Sequence, residues 1–286
     1  MQKILVCLDP DLQPSVFDAV VAVDAGADHL FRHGGVRPED VEGLVHGAMF
    51  TRGPADLKNT AVFVGGSDVA AAEALAAAAV KCFFGPMRVS VLQDANGSNT
   101  TAAAAVLAAG RHVELAAGVT AAIIGTGPVG QRAALMLAGE GVHVRLCSRT
   151  RARADQARDA LATKVDASLL SAIGTAETPI AQAIDGAQVL IAAGPAGVEV
   201  LQQPACEAAA SLRAVVDLNA VPPLGVGGID VMDKAVQRAK QVHYGAIGVG
   251  GDKMKIHKAA VRRLFETNDA VLDAAEVYAI GKALQA

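Results

Sequence analysis

The stretch Val119-Thr-Ala-Ala-Ile-Ile-Gly125-Thr-Gly127-Pro-Val-Gly130 decides the fold. A short apolar run enters Gly125-x-Gly127-x-x-Gly130, and a helix-like run follows from Gln131. Strand, glycine turn and helix in that order are the setting in which this spacing binds a dinucleotide. The first glycine permits the tight turn, the second lets backbone approach a pyrophosphate, and the third lets helix and strand pack closely. The helix start offers free N–H groups and the positive end of its dipole to the phosphates. Thr126, Pro128 and Val129 complete the same turn. The bland alternative is a glycine-rich turn without a ligand, against which the flanking strands argue. The motif stands in mid-chain, so the residues before Val119 must do something else.

Working outward, strand-like runs recur at Lys3–Leu8, Thr60–Val64, Arg88–Leu92, His143–Cys147, Gln188–Ala192 and Ala214–Leu218. Helical patterns fall between most of them, at about Ser15–Val23, Asp68–Lys81, Ser98–Arg111, Pro128–Glu140, Arg151–Thr163 and Pro179–Ile184. Pro38 followed by Glu39 and Asp40 reads as a further helix start. Such alternation implies βαβ units and a parallel sheet, an α/β fold. A break at Arg111–Ala117 precedes the fingerprint, and a glycine-rich stretch, Tyr244–Gly251, precedes two terminal helices at Lys253–Glu266 and Ala274–Leu284. These breaks predict two domains, residues 1–114 with 252–286 and residues 115–251, flanking a cleft of the kind that favours ligands.

At 286 residues with 52% hydrophobic but only 3% aromatic content, the core must be built from Ala, Val, Leu and Ile. Helix-covered parallel sheets have such cores. The net charge of −4, without a basic block, argues against a nucleic acid or an anionic membrane surface as partner. Cys7, Cys82, Cys147 and Cys206 lie far apart and read as reduced thiols of a cytoplasmic protein, neither disulfides nor metal ligands. Met1–Leu8 reads as a first strand rather than a signal peptide, since Asp9 follows at once. Acidic residues interrupt every alanine-rich stretch, so no segment is expected to span a bilayer.

The segment after the second strand of the nucleotide domain bears on which dinucleotide binds. An NAD site places a carboxylate there for the ribose hydroxyls. Here Ser148, Arg149, Thr150, Arg151 and Arg153 follow, and no carboxylate appears until Asp155. Hydroxyls and guanidinium groups suit a 2′-phosphate, which favours NADP, with NAD as the alternative.

Several other segments carry specific wording. They include Pro14-Ser-Val-Phe-Asp18, Asp24-Ala-Gly-Ala-Asp28-His29, Thr51-Arg-Gly53, Phe84-Gly-Pro86 and Asp94-Ala-Asn96-Gly-Ser98-Asn-Thr-Thr101. Asp217-Leu-Asn219-Ala-Val-Pro222-Pro-Leu-Gly225 and Gly250-Gly-Asp252-Lys253 follow. With the fingerprint, this set resembles the bacterial NAD(P)-dependent methylene-tetrahydromethanopterin dehydrogenases over nearly the whole chain. The resemblance implies a fold similar to that of the methylenetetrahydrofolate dehydrogenases, in which a pterin-binding domain accompanies the Rossmann-type domain. It implies oxidation of a methylene group on a reduced pterin to the methenyl cation, with tetrahydrofolate as a possible second carrier. It also implies a homo-oligomer, a trimer or hexamer.

The carbon to be oxidised sits between two nitrogens whose lone pairs expel a hydride, so no general base is required. The protein must place the nicotinamide against that carbon and tune the field around the developing cation. Lys253, which matches a lysine of the resembling family, is the first candidate catalytic residue; the alternative is a surface lysine. Asp18 suits the donor-rich amino-pyrimidine edge of a pterin, or else is a helix-surface aspartate. Asp94 ends a strand, where it either meets a ligand with Asn96 and Ser98 or caps the next helix. Thr51, Arg52 and Lys58 are weaker substrate candidates. Ala193 and Gly194 follow a strand and are expected along the dinucleotide, and Asn219 near the nicotinamide amide, or else these are structural turns.

Two spacings are discounted. His29 and His33 have no third ligand nearby and read as a loop or helix-end pair, and no metal is expected. Tyr278-x-x-x-Lys282 has the spacing of a catalytic pair but lies on the final helix. Competing functions are a dehydrogenase of another small substrate, shikimate-like or an amino acid, and a non-catalytic NADP-binding protein.

Overall fold

The protein was analysed as a computed structural model, which describes residues 1–285. Ala286, the end of the expected 252–286 segment, lies outside the described residues. The chain divides into two compact units, Met1–Thr100 with the segment from Met254 onward, and Thr101–Lys253.

The first unit opens with β1 (Ile4–Leu8), α1 (Val16–Asp24), β2 (His29–His33), α2 (Val41–Met49), β3 (Thr60–Val64), α3 (Val69–Lys81), β4 (Ser90–Gln93) and the start of α4 (Ser98–Gly110), most of which belongs to the second unit. Helix starts follow local chemistry: the Ser15 hydroxyl accepts from the Asp18 N–H, and the Asp68 carboxylate from the Ala71 N–H. β3 is buried along its whole length, as a central parallel strand should be. Val6, Leu8, Val62 and Val64 form a core with Val41, Val45 and Met49 of α2 and with Leu75 of α3. In α4, consecutive residues Ala102 to Ala105 are each 0% exposed. The alanine run is thus a helix packed on every side, which small side chains permit.

The second unit is a sheet of β5 (Thr120–Ile124), β6 (His143–Ser148), β7 (Leu170–Gly174), β8 (Val189–Ala192), β9 (Ala214–Asp217), β10 (Val236–Arg238) and β11 (Gln241–Tyr244). Its helices are α5 (Pro128–Gly139), α6 (Arg151–Leu161), α7 (Ile180–Ile184), α8 (Gln203–Ala208) and the start of α9 (Ala246–Arg263). The strand order is β10-β11-β9-β8-β5-β6-β7, parallel except for the β10–β11 pair. The six parallel strands, counted in chain order and read from β7 inward and out again, follow the doubly wound 3-2-1-4-5-6 order of dinucleotide-binding sheets, and β10 adds an antiparallel edge. The chain then returns to the first unit with β12 (Val271–Leu272) and α10 (Ala274–Ala283), completing a parallel sheet of order β12-β4-β3-β1-β2. No helix among the described residues is long and apolar enough to cross a membrane.

Two expectations are corrected. His29 and His33 sit at opposite ends of edge strand β2 rather than in a loop or helix end. Four strand steps separate them by roughly 13 Å, too far to share a metal ion. The glycine-rich stretch before Lys253 is mostly helix, since α9 begins at Ala246. Its glycines at 245 and 248 serve close approach: a Cβ there would stand 2.1 Å from the Asp230 carbonyl oxygen and 1.7 Å from that of Asp233. Glycine marks a tight helix seat here, not a loop.

A buried polar network closes the far edge of the second sheet. Gln241 donates through Nε2 to the Cys206 carbonyl at 2.8 Å, which turns its Oε1 toward His243 Nε2 at 2.9 Å. The imidazole proton therefore sits on Nε2, and the buried Nδ1 has no hydrogen-bond partner. Burial, then the nearby Arg238 charge, pushes the His243 pKa down to about 4 from 6.5, with Asp233 opposing. The unfolded chain takes up this proton first as pH falls, so the folded state loses stability between pH 6.5 and about 4. The loss should approach about 3 kcal/mol. Urea unfolding across this range should show a shallower acid-side decline for His243→Gln than for the parent; equal slopes would remove His243 from the account.

Candidate functional site

The crevice at the carboxyl ends of a doubly wound sheet opens where the strand order reverses, here between β5 and β8. The fingerprint turn lies there. Gly125 has φ +108°, and a Cβ on it would stand 2.2 Å from the Ala193 carbonyl oxygen. At Gly130 a Cβ would stand 2.0 Å from the Gly125 carbonyl oxygen. Both positions exclude any side chain. Gly127 differs, since nothing lies within 4 Å of its absent Cβ. Its bare backbone caps α5, with Pro128 in the first turn. Gln131 Nε2 donates to the Thr126 carbonyl at 2.8 Å and braces the turn from the helix side.

Around this turn lies a pocket of about 610 Å³. Gly125 to Val129 form one wall, Cys147, Ser148, Arg149 and Arg153 a second, and Ala193 to Pro195 a third. Thr175, Ile180 and Val200 complete the lining with Ile124. Among the described residues no carboxylate lines it, while two guanidinium groups do. Asp155, the first carboxylate after β6, is held by Arg151 at 3.0 Å and Arg158 at 2.8 Å. Cys147 contributes a neutral wall, because burial pushes its thiol up to about 12, against a smaller lowering by Arg145.

In the first unit, carboxylates gather at the carboxyl edge of the sheet. Asp9, buried at the end of β1, accepts from the N–H groups of Asp11 and Ser15 at 2.8 and 3.3 Å. Burial raises its pKa, with those N–H groups opposing. A Cβ built on Gly65 would lie 3.5 Å from Asp18 Oδ2 and 3.6 Å from Asp9 Oδ2, so the two carboxylates flank the turn after β3. Asn96, in the left-handed region at φ +52°, lies exposed on the same edge and donates its N–H to the Gly66 carbonyl at 2.7 Å.

The comparisons with known proteins meet this geometry. The N-terminal model of methylene-tetrahydromethanopterin dehydrogenase matches residues 16–96. A Methylorubrum extorquens protein described as bifunctional protein MdtA is 44% identical over 285 residues, 98% of this chain and 98% of its own. The NAD(P)-dependent methylenetetrahydromethanopterin dehydrogenase of the same organism is 32% identical over 287 residues, 97% of each chain. The chain belongs to the methylene-tetrahydromethanopterin dehydrogenase family. Among solved structures, a quinate dehydrogenase from Corynebacterium glutamicum in complex with NAD matches with TM-score 0.51 at 15% identity, covering 99% of both chains. A shikimate dehydrogenase in complex with NADP+ gives 0.50 at 13%, covering 99% of this chain and 96% of that one. These two likenesses establish the Rossmann-type dehydrogenase fold.

Not every expected residue of this family member faces the cofactor pocket. Thr150 and Arg151 do not line the cofactor pocket: the Thr150 hydroxyl caps α6 by accepting from the Arg153 N–H, and Arg151 pairs with Asp155. Asn219 stands beside it, its amide Nδ2 3.5 Å from the Pro195 carbonyl and 3.3 Å from that of Pro223. Asp94 is fully buried, with Oδ1 accepting from the Asn99 and Thr100 N–H groups and Oδ2 from the Thr100 hydroxyl at 2.6 Å. Its carboxylate is spent on the start of α4, and Ser98 is buried with its hydroxyl on the Ala95 carbonyl. Neither presents a group to a ligand. Thr51, Arg52 and Lys58 precede β3 and lie at the opposite, amino edge of the sheet from Asp18. Arg52 ties that edge together through the carbonyls of Gln2 and Asn59 and the Thr60 hydroxyl. Lys253 lies half-buried in α9. Lys282 Nζ stands 5.3 Å over the Tyr278 ring, a contact within α10. Among the described residues no group of three potential metal ligands converges.

Sequence reasoning missed Thr175 and Asp217. Thr175 donates its N–H and hydroxyl to the Ser148 carbonyl at 2.8 and 3.3 Å, joining the β7 end to the pocket wall. Asp217, buried at the end of β9, accepts from the Asn219 and Val226 N–H groups at 3.0 and 2.8 Å. Burial raises its pKa, with these donors opposing. A strand following α6, required by the doubly wound order, was the signal for Thr175.

Gly127 and Gly130 separate ligand approach from packing. Gly127→Ala should leave the thermal midpoint within the few degrees that about 1 kcal/mol allows, while weakening NADPH binding at least tenfold. Gly130→Ala should lower both stability and binding, because the added methyl overlaps backbone. Fluorescence titration with NADPH and thermal unfolding check the pair; undiminished NADPH binding by Gly127→Ala would remove the close approach.

Proposed function

We propose that this protein oxidises the methylene carbon of a one-carbon unit carried on tetrahydromethanopterin, passing a hydride to NADP and releasing the methenyl cation. The observation that carries the dinucleotide half of this reading is the pocket at the strand-order reversal, with its glycine cradle. The near full-length identity to family members supports the pterin half. A bound nicotinamide supplies the hydride acceptor.

The protein's own residues do the rest. The N–H groups at the start of α5 receive the pyrophosphate, and the open face of Gly127 gives it room. Ser148, Arg149 and Arg153 surround the 2′-phosphate of the ribose, where a carboxylate would repel it. Ala193, Gly194 and Pro195 wall the pocket beyond the fingerprint, and Asn219 braces that turn against the loop after β9. In the first unit, Asp18 beside Gly65 accepts from the amino-pyrimidine edge of the pterin, with Asn96 on the same edge. Lys253 orients the reduced pterin and tunes the field at the carbon that becomes cationic. No proton has to be removed, so the site needs placement and electrostatics rather than a base. The family resemblance extends the reading to a cytoplasmic homo-oligomer, a trimer or hexamer, and to tetrahydrofolate as a second carrier.

Absorbance of the reduced nicotinamide, followed with methylene-tetrahydromethanopterin and either NADP or NAD, tests the whole reading. Turnover is expected, with kcat/KM larger for NADP. Arg149→Ala and Arg153→Ala should each lower the NADP-to-NAD ratio of kcat/KM by roughly tenfold, the scale of one lost charge-assisted hydrogen bond. NADPH binding without turnover of either pterin carrier would leave only a nucleotide-binding protein. An unchanged ratio in both variants would remove the arginines from phosphate recognition.

A further inference from the structure

Two independent contacts within the second unit seat helix α9. Its first turn rests on the Asp230–Asp233 turn, so closely that Gly248 leaves no space for a Cβ. That contact sets how near the helix lies to its support. Farther along, Asp252 Oδ2 lies 2.7 Å from Arg111 Nη1, with 14% of the aspartate side chain exposed. Next along the chain, His112 Nε2 lies 2.8 Å from the hydroxyl of Tyr244, which stands just before the helix start. Burial, followed by the charge on Arg111, lowers the His112 pKa. Tyr244 is buried.

We infer that these four residues form a positioning device that fixes the rotation of α9 about its axis and so aims Lys253 at the reacting carbon. The inference rests on the reading of Lys253 given above. Lys253 follows Asp252 directly, and successive helical residues stand about 100° apart, so holding one azimuth holds the other. A displacement of about 1 Å at a reacting centre can cost roughly 100-fold in rate. The glycines at 250 and 251 sharpen the need, because a side chain there would find open space and none is present, and glycine stiffens a helix least.

The test is a double-mutant cycle on the full chain, read as kcat with methylene-tetrahydromethanopterin and NADP. Asp252→Asn and Tyr244→Phe should each lower kcat by roughly tenfold or more while the KM for NADP stays within about twofold. Arg111→Lys, which keeps the ion pair, should recover part of the activity that Arg111→Met loses. In a Lys253→Met background, Asp252→Asn should cost nothing further, since the two act as one unit. Equal losses in both backgrounds, or an unchanged kcat for Asp252→Asn where Lys253→Met is impaired, would overturn the positioning role alone. Full activity of Lys253→Met would overturn the reading of Lys253 and the inference with it. Circular dichroism and NADPH binding by each variant separate these outcomes from misfolding.

Discussion

The close passage of bare backbone at the Gly125–Gly130 turn is the constraint on which the cofactor site depends. Gly130 lies where a methyl group would overlap the Gly125 carbonyl, and Gly125 where one would overlap that of Ala193. The first contact sets α5 against β5, and the second sets the turn after β8 against the fingerprint. Together they hold the two lips of the crevice at one separation. The pocket's width is therefore fixed by three backbone segments, while its chemistry is left to the residues that follow β6 and β8. Such a division explains how one sheet order serves many dehydrogenases whose side chains share little.

Much of this was legible in the sequence, for physical reasons. The fingerprint turn demands glycine, and buried parallel strands demand unbroken apolar runs, so β3, β5, β8 and β9 stand out. Two of the strands that escaped are partly buried edge strands. In β2, His29, Phe31 and Arg32 are exposed, and in β7 buried and half-buried residues alternate in Leu-Ser-Ala-Ile-Gly. Short edge strands carry too little apolar pattern to separate from loops. Missing β7 also hid Thr175. The glycines of α9 misled in the opposite direction, because a glycine needed for close approach and one needed for a turn look alike in sequence.

The candidate site shows the same ambiguity for aspartate. Asp9, Asp94 and Asp217 each stand buried at or just past the end of a parallel strand, and each accepts backbone N–H groups from the loop or helix start that follows. A carboxylate there has two fates, to meet a ligand or to satisfy orphan donors of its own chain. Spacing cannot tell them apart, and Asp94 took the second fate although its position suggested the first. Arg52 repeats the lesson at the amino edge, where its guanidinium closes three loop contacts. Folded geometry resolves such cases, because a fully satisfied buried charge has nothing left to offer a ligand.

Once these internally satisfied groups are set aside, the charges left to act outward differ in sign between the units. Arg149 and Arg153 give the nucleotide pocket a positive wall, with Asp155 neutralised between Arg151 and Arg158. Asp18 gives the carboxyl edge of the first sheet a negative one. A phosphate-rich dinucleotide suits the first, and a donor-rich ring whose oxidised product is a cation suits the second. Each wall would repel the other ligand, so the two edges discriminate by charge before shape is engaged. The chain's modest net charge of −4 conceals this separation, which arises only when the fold decides which carboxylates spend their lone pairs on their own backbone.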